Sequence, residues 1–257
     1  MIVAGRVSAL VLLLVIMAII LGYMWRGLKG FMPKLRRLPA IDILEEIAGR
    51  CAEMGRPLWF LTGDGQLERP MDMPITLASF AALEYVAHLT AKYNVKFHVP
   101  TVLYTAYPIQ HDIVRTAYIA EGKGELFDPL YTVMYVASGP HRLYVVDGMF
   151  RERVAGNIMI GSYYHTAIIF AEAAARAGAL QLGGTDTTHN IPFFVGACDY
   201  FLIGEENYAL GAYLTKEPIM TASIVGQDWG KIIAGAIIIV GVILLLAGVD
   251  VRAWLRM

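Results

Sequence analysis

The sequence predicts an α/β domain, a doubly wound and mainly parallel sheet with helices on both faces, flanked by two transmembrane helices. Three observations predict it. Short runs rich in Val, Ile and Leu alternate with helical stretches through the middle of the chain, the pattern of a parallel sheet covered on both faces. Two uncharged apolar stretches, Val7–Trp25 and Ile232–Val249, bracket that middle. At about 1.5 Å per residue, each can cross a hydrocarbon core of roughly 30 Å. The remaining residues, about 200, suffice for one domain with a sizeable core.

Each element follows from local signals. Asp42-Ile43-Leu44-Glu45 resembles a capping box that starts a helix to about Met54, and Gly55-Arg56-Pro57 stops it. Leu58–Thr62 is an apolar run of strand length. After a loop rich in Gly, Asp and Pro, Pro74 opens a long helix to about Tyr93. Val95–Val99 reads as the second strand and Tyr107–Glu121 as a helix. Tyr131–Ala137 is the third strand, followed by a helix from Pro140 to Arg153. Asn157–Ile160 is the fourth, with a helix from Tyr164 to Ala177. Ala179–Leu182 is the fifth, and Tyr200–Ile203 the sixth, leading into a helix over Glu205–Leu214. The expected organisation is a first transmembrane helix at 7–25, a basic juxtamembrane linker at 26–41, the α/β domain at 42–214, a linker at 215–230 and a second transmembrane helix at 231–249.

Charge sets the expected topology. Arg26, Lys29, Lys34, Arg36 and Arg37 follow the first span with no acid before Asp42, whereas Arg6 alone precedes it. The positive-inside rule then places the central domain in the cytoplasm and both termini outside the cell membrane, although Arg252 and Arg256 in the tail oppose this mildly. The same cluster is suited to anionic lipid headgroups, so membrane lipids are expected partners. In the second span Ala234, Gly241 and Gly248 recur on a seven-residue spacing that permits close helix packing. A formal net charge of −1 and the lack of a basic run with interleaved aromatics argue against nucleic-acid binding. Cys51 and Cys198 form no CxxC pair and read as buried thiols.

In an open parallel sheet, ligands collect at the carboxyl ends of the strands, which singles out three polar segments. Gly63-Asp64-Gly65 could let a backbone approach a phosphate, yet the third glycine of a dinucleotide fingerprint is missing and a simple turn is the plainer reading. Gly183-Gly184-Thr185-Asp186-Thr187-Thr188-His189-Asn190 is the densest polar string. It is suited to an anion-binding nest with Asp186 or His189 moving protons, or to satisfying a turn. Asp199 with Glu205 and Glu206 could hold a cation or act as acid and base, although acids at a helix start also complement its dipole. His88, His98, His111, His141, His165 and His189 show no metal-pair spacing. Ser79, Ser138, Ser162 and Ser223 lack a nucleophile elbow, and no motif calls for a cofactor.

Four segments form a recognisable set. They are Ile41-Asp42…Glu45-Glu46-Ile47…Glu53-Met54-Gly55-Arg56-Pro57, then Ala120-Glu121-Gly122-Lys123…Phe127-Asp128-Pro129, then Pro192-Phe193-Phe194-Val195-Gly196-Ala197-Cys198-Asp199-Tyr200…Gly204-Glu205-Glu206, and Gly226-Gln227-Asp228…Gly230-Lys231. Together they resemble an uncharacterised prokaryotic membrane-protein family, a domain of unknown function, over roughly Arg37 to Lys231. The resemblance implies domain limits and topology, but no reaction.

Two functions are expected on these grounds. The first is a membrane-anchored homo-oligomeric scaffold at the cytoplasmic face, since tethering raises the local concentration of like domains. The second is an enzyme or sensor for a small anionic or nucleotide-like ligand at the strand ends, bordered by Gly63, Asp64, Gly65, Gly183–Thr187, His189, Asp199 and Glu205.

Overall fold

The computed structural model describes residues 7–33, 38–215 and 217–248. Arg6, Lys34, Arg36, Arg37 and the tail from Asp250 therefore lie outside the described residues. The chain divides into two compact units, Arg37–Leu214 and the two terminal segments together.

The central unit alternates strand and helix. Its strands are β1 (Leu58–Gly63), β2 (Phe97–Thr101), β3 (Val133–Tyr135), β4 (Gly156–Ser162), β5 (Leu180–Thr185) and β6 (Tyr200–Ile203). Every neighbouring pair is parallel, and the order is β3-β2-β1-β4-β5-β6. The direction of winding reverses between β1 and β4. Helices α2 (Pro39–Met54), α3 (Met73–Tyr93), α4 (Tyr107–Ala120) and α8 (Glu205–Thr215) supply one core, with Leu58, Phe60, Phe97, Val99, Ile158 and Ile160 of the strands. Helices α5 (Ser138–Glu152), α6 (Ala167–Ala177) and α7 (Ile191–Ala197) supply the other, with Trp59, Leu61 and Met159. Alternate residues of one strand thus feed opposite cores, as the pleat requires, and β1 and β4 are buried along their whole length.

Several boundaries differ from expectation for physical reasons. Helix α2 begins at Pro39, not at Asp42: proline's fixed φ suits the first helical position, Leu38 is the N-cap without a side-chain bond, and Asp42 sits in the first turn. Glu45 does not close a capping box; it accepts the Tyr85 hydroxyl at 2.8 Å. Strand β5 runs on through Gly183 and Gly184, because neighbours occupy the space where their side chains would be: Phe194 and Cys198 at Gly183, Asn207 at Gly184. Helix α7 was not expected at all.

In the terminal unit, α1 (Val7–Leu28) packs antiparallel along α9 (Pro218–Leu246). Both are long and apolar enough to span a membrane. The stretch 215–230, expected as a linker, is helical from Pro218 onward. Its small residues make the contact. A side chain at Gly27 would come within 3.0 Å of the Ala222 Cβ, one at Gly226 within 2.8 Å of the Ile20 Cα, and one at Gly230 within 3.2 Å of Ile16. Gly241 and Gly248 have nothing within 4 Å at that position, so the seven-residue row is not what α1 packs on.

Candidate functional site

The carboxyl ends of the neighbouring parallel strands β1 and β4 are tied closely together. The backbone amides of Asp64 and Gly65 both donate to the Ser162 carbonyl, at 2.8 and 3.1 Å. Gly63 adopts φ +81° there, and a side chain would strike Ser162, so glycine is required on both counts. Gly63-Asp64-Gly65 is therefore a turn whose two amides are already engaged, and they are not offered to a phosphate.

Beside these strand ends lies a cleft of about 350 Å³, bordered by the ends of β1 to β4 and the first turns of α5 and α6. Three sets of hydrogen bonds organise its polar lining, the first through Asp72 and Ser162, which are buried behind it. Asp72, 8% exposed, accepts hydrogen bonds from the Ser162 hydroxyl at 2.8 Å and the Tyr164 hydroxyl at 2.7 Å. The Arg69 guanidinium donates to the same Tyr164 oxygen at 2.9 Å. The bond to Asp72 raises the Tyr164 pKa, so the phenol stays a neutral relay between a carboxylate and an arginine. Second, Thr166 donates to Asp64. Third, Arg142 in the first turns of α5 donates to His165 Nε2. His141 is buried beside it, and burial lowers its pKa below the usual histidine range. The exposed rings of Tyr104 and Tyr135 form a rim.

Two arginines and the starts of two helices thus face one cavity, an arrangement suited to an anion. Asp64 is the sequence-predicted residue that lines it. His189 lines a shallower neighbouring depression with Tyr164, His165 and Phe193.

The other expected site residues are elsewhere. Gly183, Gly184 and Thr185 are inside β5. Asp186 accepts from Tyr208 and from Thr187, and the Thr187 amide donates to Thr185 Oγ1 at 3.2 Å. These bonds close the polar string into a turn, and Asn190 at its end donates to the Tyr163 carbonyl. Asp199 precedes β6 and so stands at the amino end of the sheet, where it accepts the Gln181 amide at 2.8 Å. Glu205 and Glu206 start α8, with Glu206 accepting the Ile203 amide at 3.3 Å. Asp199 and Glu205 thus flank opposite ends of one strand and share no site. Burial pushes the Cys198 thiol, like that of Cys51, up to about 12, so neither is a nucleophile at neutral pH. Among the described residues, no cluster of His, Cys, Asp or Glu is placed to hold a metal.

Sequence reasoning missed Arg69, Asp72, Arg142, Ser162, Tyr164, His165 and Thr166. The polar run Ser162–Thr166 after the fourth strand was a signal, but it gains meaning only when β4 is known to lie beside β1.

A fully parallel sheet whose winding reverses at a polar cleft defines an open, doubly wound α/β domain, here on a chain that also has two membrane-length apolar helices. Over residues 1–255 the sequence matches the family described as a domain of unknown function (DUF6754), and the chain belongs to it. No curated protein and no solved structure matches the chain.

Proposed function

We propose that this protein is anchored in the cell membrane by α1 and α9 and that its central unit binds a small anionic, nucleotide-like ligand in the cleft at the carboxyl ends of β1 and β4. The cleft carries this reading: Arg69 and Arg142 supply positive charge, Ser138 at the start of α5 borders it, and Tyr104 with Tyr135 offers faces for a planar group. The cytoplasmic placement of that unit rests on Arg26 and Lys29 and on the basic residues that follow them in the sequence. The test is equilibrium binding to the full-length protein in lipid nanodiscs, with inorganic phosphate and a nucleoside diphosphate as probes. Saturable binding that Arg142→Gln weakens about tenfold supports the reading. No binding of either probe overturns it.

A second reading, a homo-oligomeric scaffold, is favoured by the edge of the sheet. Tyr200, Phe201 and Ile203 of β6 are each 37–40% exposed, and Phe193 and Val195 of α7 are exposed as well. An apolar edge strand is a surface for pairing with another chain. A monomeric native mass in lipid would exclude this scaffold.

A further inference from the structure

The packing of α1 on α9 has a fixed register: Gly27 meets Ala222, Ile20 meets Gly226 and Ile16 meets Gly230. Ile16 is also the midpoint of the apolar stretch Val7–Trp25. The level of Gly230 on α9 is therefore the level of the middle of the first span. Asp228 and Lys231 lie two and one residues from Gly230, about 3 Å and 1.5 Å along the axis. If α1 spans the bilayer, this ion pair (3.0 Å) lies near its midplane. Moving the helix pair towards the central unit until α9's own apolar stretch is centred does not relieve the conflict. It would lift Met17 and Leu21, which are 47% and 55% exposed on α1, out of the hydrocarbon.

The pair faces away from α1. At about 100° per residue, Asp228 and Lys231 fall opposite the Ala222–Gly226–Gly230 row, with Gln227 on the flank. Their side chains are 56% and 51% exposed. Ionised groups at this depth are costly against lipid and are found facing protein or water. Gly235, one turn on, falls on the same face and has nothing within 4 Å of where a side chain would be, so a second helix backbone can approach there.

We propose that this face of α9 is an intramembrane contact with a second copy of the chain, in which Asp228 of each copy pairs with the partner's Lys231. The occupant follows from charge. A face carrying one acid and one base less than a helical turn apart is complementary to itself under two-fold symmetry. Copies inserted with the same topology also present these residues at the same depth. The proposal rests on the reading of α1 and α9 as membrane-spanning. It is independent of the cleft and of the β6 edge.

The test uses the full-length protein in lipid bilayers. Cysteine at position 235 is expected to cross-link between copies under mild oxidation, whereas cysteine at position 229, on another side of α9, is not. The native cysteines are buried, with thiols pushed up to about 12, and do not interfere. Asp228→Lys and Lys231→Asp alone are each expected to weaken self-association about tenfold, and the double exchange to restore it. Equal cross-linking at 229 and 235, no cross-linking at 235, or a double exchange no better than the singles overturns the proposal. Extraction of the wild-type chain from membranes by alkaline carbonate would instead remove the membrane reading on which it stands.

Discussion

Beneath α5, His98 has both ring nitrogens engaged. Nδ1 donates to the Tyr131 carbonyl and Nε2 accepts the Tyr144 hydroxyl at 2.9 Å. The Trp59 ring lies 4.7 Å away, and the Tyr131 hydroxyl donates to Glu152. At the tips of β1 and β4, His165 has aromatic and charged neighbours too, but it opens onto a cavity with Arg142 and Arg69. Similar side chains serve two purposes, and closure separates them. Where the polar side chains turn towards one another inside a closed core, the cluster contributes to one packed arrangement. Where donors converge on open space, they are available to a ligand.

The sharpest way to break this contrast is Trp59→Ala. The ring is fully buried and leaves no space for a side chain at Gly148, so its removal is expected to destabilise the domain by about 3–5 kcal/mol. Chemical denaturation of the full-length protein measures this, and a loss under 1 kcal/mol would show the closed cluster to be loosely packed.

Next comes pH. Burial pushes the His98 pKa down to about 4, below the value near 6.5 of an unfolded histidine. The unfolded chain therefore binds the proton more tightly. The stability that neutral His98 contributes is complete above about pH 6.5 and is lost as pH falls towards 4, by up to about 3 kcal/mol. Denaturation midpoints across this range should fall more steeply for wild type than for His98→Gln; parallel curves would show that His98 is not held neutral.

Arg142→Gln sharpens the comparison from the other side. Phosphate affinity should drop about tenfold while stability changes by less than about 0.5 kcal/mol. A large stability loss would make the cleft arginine structural. The smallest effect is expected at Asp199→Asn, which weakens one hydrogen bond to a backbone amide: about 1 kcal/mol or less, with anion affinity unchanged. Loss of binding there would restore Asp199 to the site.

The sheet was legible because its signals are local. Alternating apolar runs and helical stretches located all six strands, and proline at the first or second helical position marked α3 and, unrecognised, α2, α4, α7 and α9. Strand order is not local. It depends on which faces β1 buries against β4, and no residue pattern in one chain records that. The site inherited this blindness: Asp64 could be found because it follows the first strand, whereas Arg69, Arg142 and Ser162–Thr166 acquire a common purpose only at the reversal between β1 and β4. Gly183-Gly184 misled for the converse reason. Glycines after an apolar run signal a loop unless bulky neighbours, here Phe194, Cys198 and Asn207, claim the space.

The pairing of β1 with β4 has a mechanical consequence. Strands β1 to β3 and β4 to β6 are two successive halves of the chain, and in the sheet they are joined along the single seam of β1 against β4. The amides of Asp64 and Gly65 on the Ser162 carbonyl fasten that seam at its open end. A molecule seated in the cleft touches Asp64 and Arg69 of one half and Arg142, Tyr164 and Thr166 beyond it, so it would act as a clasp across the join. Occupancy and the resistance of the two halves to being pulled apart would then rise and fall together.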